Sequence, residues 1–182
     1  KWDLVVTDES HYLSANQEGD LTNAGETLRA LTYHPDGFYK RSKMLFPALH
    51  SQIEVAMADK DYKEADKLHQ KLRELEKPVR AEFDDIKPEE RPRTVMLSAT
   101  PFAYQKSIRY ANGFLFDWNE GYTERSGYNA PSAEEAFFLH HFGYRMRYGK
   151  LTQPDAHVNT EIMEVQFNTF LKKEGVLSGR AL

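Results

Sequence analysis

The feature that most constrains the fold of this chain lies at its start, where residues 2–12 have the sequence W-D-L-V-V-T-D-E-S-H-Y. Leu4, Val5 and Val6 form a short apolar run rich in β-branched residues, and it stops at the carboxylates of Asp8 and Glu9. Such a run predicts a buried strand of a parallel sheet. Ligands gather at the carboxyl ends of these strands, and two adjacent ionised groups each need a partner or water. We therefore predict a functional site at Asp8 and Glu9.

A second strand that ends in small hydroxyl residues is predicted downstream, at residues 94–101 (T-V-M-L-S-A-T-P). The D-E-S-H of residues 8–11 resembles the DExH form of the Walker B motif of superfamily-two helicases and translocases. The S-A-T of Ser98, Ala99 and Thr100 resembles motif III of the same families. Average composition would place both motifs in this order in well under about 1% of chains of this length. The layout of residues 167–182 is also similar to Strawberry notch-type helicases and to helicase-like proteins of phages and mobile elements.

The resemblance implies an α/β fold, a partial RecA-like (P-loop NTPase) parallel sheet flanked by helices. Residues 1–182 would be the C-terminal portion of the first ATPase lobe. The implied function is ATP-dependent helicase or translocase activity, with ATP and Mg²⁺ as cofactors and nucleic acid, preferably DNA, as the partner. The chain is thus expected to be part of an enzyme that hydrolyses ATP.

The resemblance also assigns roles to single residues. Asp8 would hold Mg²⁺ through water, and Glu9 would orient and deprotonate the attacking water. His11 would link the nucleotide site to the motif III turn. The residues of that turn would pass the state of the nucleotide to the nucleic-acid groove.

The family's P-loop, G-x-x-x-x-G-K-[ST], is not found in this sequence. Gly149-Lys150 is followed by Leu151, and no glycine stands five positions before Gly149. We expect the P-loop to come from a preceding segment of the same protein, and the arginines of the active site to come from a second RecA-like lobe. The position of Lys1 directly before a core strand points the same way. Alone, the chain is expected to be inactive as an ATPase.

A helical pattern occupies residues 40–78, where apolar residues recur every three or four positions. Pro47 lies either within the first turns of the first helix or at its true start. Asp61 is predicted to cap a second helix, which Pro78 is expected to end. The two helices predict an antiparallel hairpin inserted into the lobe. Its alternating charges favour a solvated face, with contact to nucleic acid or a partner protein as the alternative.

Four further elements are predicted in the second half of the chain. Residues 103–111 are expected to be helical, and residues 113–118 to form a strand or an apolar loop. Ser132 with Glu135 predicts a capped helix that Gly143 closes. Asn159 or Thr160 predicts the cap of a last helix, with lysines in its final turn.

Arg145, Arg147 and Lys150 are interleaved with aromatic residues, a pattern that suits phosphate contact and base stacking. It suits an ordinary surface loop equally well. His140, His141 and the distant His157 are expected to be structural, since adjacent helical residues point apart and no acid lies at ligand spacing.

Composition limits the alternatives. The 182 residues are 40% hydrophobic with a formal net charge of −4, so no global basic field indicates nucleic acid. The absence of cysteine excludes disulfides, zinc–thiolate sites and cysteine nucleophiles. No apolar run approaches the roughly 20 residues of a membrane span, and no signal peptide is found. We expect a cytoplasmic protein without a membrane partner.

The alternative to an enzyme is a non-catalytic interaction module, whose helical hairpin binds a partner and whose nucleotide motifs are vestigial.

Overall fold

The computed structural model describes residues 2–13, 20–99, 105–118 and 130–179. They belong to two compact units, Lys1–Tyr110 and Ala111–Leu182. The chain is α/β, with much more helix than strand. No helix in the described ranges is both long enough and apolar enough to cross a lipid bilayer.

The first unit contains the two predicted strands as a parallel pair. Strand β1 (Leu4–Thr7) lies beside β2 (Arg93–Met96), with Val5 opposite Thr94 and Thr7 opposite Met96. Parallel strands need a crossover connection, and here the helices of the first unit supply it. The predicted strands and their parallel pairing are confirmed.

The prediction that these strands are buried is wrong for the described part of the chain. Leu4, Val6 and Val95 share one face of the sheet, and they are 52%, 56% and 43% exposed. Val5 and Thr94, on the other face, are half-buried. The reason is that, among the described residues, no further strand joins this pair and no helix covers the face that carries Leu4 and Val6.

Within the described ranges, four α-helices lie between the strands. Thr22 caps the first of them, because its side chain accepts a hydrogen bond from the Gly25 amide at 3.1 Å. His34 caps the 3-10 turn Pro35–Gly37, which leads directly into the second helix. The helices are α1 (Asn23–Leu31), α2 (Phe38–Leu45), α3 (Pro47–Ala58) and α4 (Tyr62–Asp85).

Helices α3 and α4 form the predicted hairpin. Leu49, Ile53 and Leu72 form the buried cluster between them. The Asp61 carboxylate accepts from the Glu64 amide at 3.1 Å, as the predicted cap requires. Pro47 is the first residue of α3, so it marks a true helix start, and residues 40–45 belong to the separate helix α2.

Pro78 does not end the second helix of the hairpin, as the sequence had predicted. Helix α4 continues through it to Asp85. Beyond the proline, Phe83 is buried with Tyr33 and Phe38. The Tyr33 hydroxyl also donates to Glu82 at 2.8 Å. This packing offsets a proline cost of about 3 kcal/mol in a helix interior.

The described residues of the second unit include two α-helices and a small β-hairpin. Helix α5 (Ala133–Phe142) begins with the predicted Ser132–Glu135 capping box and ends at Gly143, whose φ is 68°. Helix α6 (Thr160–Lys173) is capped by Asn159. The hairpin of β3 (Arg145–Arg147) and β4 (Lys150–Thr152) was not predicted.

Aromatic residues fill the core of the second unit. Phe137 of α5 stacks on Phe116 with ring centroids 4.9 Å apart, and Phe167 of α6 meets both rings edge-on. Residues 113–118 form an apolar turn, the second of the two predicted alternatives. Residues 105–111 form a 3-10 helix, which confirms the predicted helix for the described part of residues 103–111.

Candidate active site at the ends of the parallel strands

The site begins where β1 ends, at Asp8 and Glu9. Both side chains are exposed, and Asp8 Oδ1 accepts from the Glu9 amide at 2.9 Å. Glu9 has a φ of 50°, in the left-handed region that non-glycine residues seldom adopt. The chain therefore turns sharply after the strand, and the turn leaves two carboxylates at its carboxyl end.

Backbone hydrogen bonds join this turn to the end of β2. The Leu97 amide donates to the Thr7 carbonyl at 2.8 Å, and the Ser10 amide donates to the Leu97 carbonyl at 2.7 Å. The ladder between the strands thus extends past both strand ends. It fixes the D-E-S-H turn against the residue that precedes the S-A-T sequence.

The His11 side chain connects the two motifs. Its Nδ1 lies 3.1 Å from Glu9 Oε2 and 3.3 Å from Ser98 Oγ. The nitrogen is thus at ion-pair distance from the Glu9 carboxylate and at hydrogen-bond distance from the Ser98 hydroxyl. The contact expected between His11 and Ser98 is present, and the same imidazole nitrogen holds the Glu9 carboxylate.

The predicted residues of this site do not all fall in the described part of the chain. Asp8, Glu9, His11 and Ser98 are brought together, and Ala99 is exposed beside them. Thr100 lies outside the described residues.

Ser10 and Tyr110 support the site and were missed from the sequence. Ser10 is 1% exposed and Tyr110 is 2% exposed. A side-chain hydrogen bond joins them, and burial raises the pKa of Tyr110 despite that bond. Ser10 occupies the variable position of the D-E-x-H pattern and Tyr110 is far away in sequence, so no local signal marked either one.

Divalent cation chemistry at this turn would rest on one exposed carboxylate. No three His, Asp or Glu side chains of the described ranges are grouped so that they could hold a metal ion. Mg²⁺ that bridges nucleotide phosphates keeps several waters and needs only one or two protein carboxylates. Asp8, whose Oδ1 is oriented by the Glu9 amide, is compatible with that coordination.

The three basic residues predicted to contact nucleic acid, Arg145, Arg147 and Lys150, lie on the β-hairpin of the second unit. Arg145 and Arg147 both bind Asp155, at 2.5 Å and 2.8 Å, so a single carboxylate partly neutralises two guanidinium groups. Lys150 is exposed, and Tyr148 at the turn is fully exposed. This arrangement can present phosphate-binding and stacking groups, and both interpretations of the pattern stay open.

A buried cluster of Ser42, His50 and Glu76 contains the residue types of a hydrolase triad. Ser42 Oγ lies 2.7 Å from His50 Nε2 and also donates to the Glu76 carboxylate. Since serine has one hydrogen to donate, His50 Nε2 must donate to Ser42, the reverse of nucleophile activation. Ser42 is also 0% exposed. The cluster therefore joins α2, α3 and α4 and is structural.

His141 of α5 packs among aromatic rings. Its ring centroid lies 4.6 Å from that of Phe137 and 5.4 Å from that of Phe167. Burial, and secondarily the neighbouring His140, lower the pKa of His141. The packing is that of a neutral core histidine.

The resemblance to helicases stays a prediction from the two sequence motifs. Their carboxylates, imidazole and hydroxyl meet at the end of a parallel strand pair. No protein-family model, curated protein or solved structure matches this chain.

Proposed function

We propose that this chain is part of the first RecA-like ATPase lobe of a superfamily-two helicase or translocase. The observation that carries the proposal is the junction of the two motifs. His11 Nδ1 lies within 3.3 Å of both Glu9 Oε2 and Ser98 Oγ, at the carboxyl ends of two paired parallel strands. In open α/β sheets this edge is where ligands bind.

In this proposal the two carboxylates have different tasks. Asp8 would hold Mg²⁺ through water, and the ion would neutralise charge on the β- and γ-phosphates of bound ATP. Glu9 would take the proton of the attacking water. Its contact with His11 supports that role, because a carboxylate in a fixed orientation is a better positioned base than a freely rotating one.

His11 and Ser98 would couple the nucleotide to the nucleic acid. A change at Glu9 during hydrolysis would alter its contact with His11, and His11 also contacts the S-A-T turn. Ala99 and Thr100 would belong to the same coupling turn. Arg145, Arg147 and Lys150 are the proposed nucleic-acid contacts of the second unit.

The proposal also requires a P-loop from another segment. Gly149 lies in the turn of the β3–β4 hairpin, and Lys150 is the first residue of β4. A P-loop instead joins a strand to a helix. The exposed apolar face of the β1–β2 pair is what a parallel sheet would bury under further elements of the lobe.

The test is Glu9→Gln in a polypeptide that carries this chain together with its P-loop segment and second lobe. We expect Glu9→Gln to lower the ATPase kcat by about a hundredfold or more, as loss of a general base does, while ATP binding is retained. Nucleic-acid-stimulated ATP turnover and fluorescent-nucleotide binding would be measured side by side. Wild-type turnover in Glu9→Gln would remove Glu9 from the mechanism.

Two further variants sharpen this test. Glu89→Gln removes an exposed carboxylate far from the turn in sequence and should leave kcat unchanged. Asp8→Asn should shift the Mg²⁺ dependence of the reaction to higher concentrations, because it removes the proposed metal ligand. An equal loss in all three variants would indicate a general effect of charge and contradict the assigned roles.

A second candidate function, a non-catalytic interaction module, is favoured by a different observation. Val55, Met57 and Tyr62 flank the tip of the α3–α4 hairpin and are 58%, 47% and 59% exposed. Exposed apolar groups of this kind often mark contact surfaces. Under this alternative, the double variant Val55→Ser, Met57→Ser would lose association with nucleic acid or the partner protein. Glu9→Gln would leave that association unchanged.

A further inference from the structure

A cavity of about 410 Å³ lies at the C-terminal end of α4, far in sequence from the D-E-S-H turn. The last turns of α4, the following 3-10 turn Pro88–Glu90 and Pro35 form its walls. Its apolar part consists of Pro35, Phe83, Ile86 and Pro88. The volume lies within the usual range of small-molecule sites.

The charged part of the lining is mainly cationic. Arg80, Lys87 and Arg91 line the cavity, and Asp84 is the one acid among its lining residues. Within the described ranges none of these three cations forms an ion pair, although Lys40, Lys43, Lys67 and Lys77 each do. The positive charge of the lining is therefore not neutralised by ion pairs within the described part of the chain.

Arg91 carries a second, independent sign of a missing partner. Its Nε is buried and has no hydrogen-bond partner among the described residues. Buried donors are nearly always satisfied, and an unpaired one costs about 1–3 kcal/mol. Because Nε itself is closed to solvent, a ligand oxygen in the cavity would be bound by the terminal nitrogens of the Arg91 guanidinium, which carry the rest of its charge.

Arg80 is held in place by an aromatic ring. Its guanidinium carbon lies 3.3 Å from the centroid of the Phe38 ring. A guanidinium that is stacked in this way has lost much of its conformational freedom before a ligand arrives. It can therefore bind an anion with a smaller loss of entropy than a free surface lysine.

We propose that this cavity binds a small phosphorylated molecule, with the phosphate held by Arg80, Lys87 and Arg91 and an apolar group against Phe83 and Ile86. Two guanidinium groups and one ammonium match the charge and the several oxygens of a phosphate monoester. The proposal does not depend on the helicase assignment, because none of these residues belongs to the Asp8–Ser98 site.

A compact phosphate is favoured over the backbone of a nucleic acid. Asp84 lines the cavity, and Asp85, Glu89 and Glu90 are exposed next to its lining residues in sequence. A polyanion that ran past the cavity would meet these carboxylates, whereas one phosphate group can remain among the cations.

The experiment titrates the full chain at neutral pH with phenyl phosphate, inorganic phosphate, phenol and an oligothymidylate, using calorimetry or amide chemical shifts. We expect phenyl phosphate to bind with a Kd of about 1 mM or tighter. Phenol and inorganic phosphate, which each supply half of the interaction, should bind at least about tenfold more weakly. The proposal would be overturned if phenol bound as tightly as phenyl phosphate. It would also be overturned if oligothymidylate displaced bound phenyl phosphate.

Charge variants locate the site. Lys87→Gln and Arg91→Gln should each weaken phenyl phosphate binding by about tenfold, the usual effect of losing a charge-assisted contact. Lys63→Gln is the control, because Lys63 is an exposed lysine near the start of α4 and does not line the cavity. Lys87 is itself exposed, so Lys87→Gln should fold even if Arg91→Gln does not. Equal binding by Lys87→Gln and Lys63→Gln, or no saturable binding by the wild-type chain, would contradict the assignment.

Discussion

Glu9 combines a chemical role with an unfavourable backbone conformation. A left-handed φ costs a residue with a side chain about 1–2 kcal/mol, and such residues cluster at functional sites. The positive φ turns the chain so that Ser10 can donate to Leu97 and His11 can reach Ser98. Glycine would adopt the turn without strain, but it would lack the carboxylate.

This conflict predicts the stabilities of two variants. Glu9→Ala and Glu9→Gly lose the same contact with His11, but only alanine retains the strain at φ 50°. We expect Glu9→Gly to be more stable than Glu9→Ala by about 1 kcal/mol, since the strain relieved exceeds the greater chain entropy of glycine in the unfolded state. Urea denaturation at neutral pH would measure the difference. If alanine were as stable as glycine, the turn would not be strained.

Helix α4 shows how packing can override a local stop signal. Pro78 is exposed in the middle of the helix, and the helix continues because Phe83 is buried against Tyr33 and Phe38. The proline still removes one helical hydrogen bond and restricts the residue before it.

Replacing this proline should therefore stabilise the first unit. Inside a helix, proline is about 3 kcal/mol less favourable than alanine. Alanine also makes the unfolded chain more flexible, which reduces the expected gain in stability by about 0.4–1 kcal/mol. We expect Pro78→Ala to raise the free energy of unfolding by about 2 kcal/mol and Lys77→Ala to change it by under about 0.5 kcal/mol. Chemical denaturation would compare them. A destabilised Pro78→Ala would mean that the proline shapes the packing of Phe83.

Three of the helix caps were predicted from the sequence because they are local. Asp61, Ser132 and Asn159 each bind an amide three residues on, so a short stretch of sequence contains the whole interaction. The continuation of α4 past Pro78 depends on Tyr33 and Phe38, which no local pattern indicates. The short β3–β4 hairpin was missed because three-residue strands leave no measurable alternation.

His141 of helix α5 should make the stability of the second unit depend on pH. The pKa of His141 is lowered in the folded protein by burial and by His140, below its unfolded value of 6.5. The unfolded state therefore binds more protons as the pH falls through about 6.5, and stability is lost in that direction. Above that pH the histidine is neutral in both states and contributes no pH dependence.

The measurement uses the tryptophan of the second unit. Trp118 lies 6.1 Å from Phe137, so in a Trp2→Phe background its fluorescence reports unfolding of this core. We expect stability to fall between pH 7.5 and pH 5. His141→Phe should make the fall smaller, because phenylalanine binds no proton. The same slope in both proteins would contradict the role of His141.

At the scale of the molecule, the site was predicted in part. The two motifs indicated which residues meet, and the contact between His11 and Ser98 is present. The support from Ser10 and Tyr110 was not predictable, since it depends on residues that only the folded chain brings together. The exposure of one face of the β1–β2 sheet was not predictable either. The sequence of a strand shows that its residues are apolar, but it does not show which elements pack on them.

The purified chain gives a whole-molecule test of the proposed function. With Asp8 and Glu9 present but no P-loop in its sequence, we expect it to show no ATP turnover with or without single-stranded DNA. A phosphate-release assay would detect activity, and the Glu9→Gln chain is the control for a contaminating ATPase. Turnover that Glu9→Gln abolishes would show that the chain needs no P-loop, and the proposed division of the lobe would be wrong.

The junction of His11 and Ser98 has a consequence for the order of events during synthesis, because the two residues are 87 positions apart. At translation rates of about 5–20 residues per second, roughly 4–17 s separate their emergence from the ribosome. The hairpin of α3 and α4 needs only neighbouring sequence and can assemble in that interval. Among the described residues β1 pairs only with β2, so the D-E-S-H turn acquires its contact with Ser98 only after β2 and Ser98 have emerged.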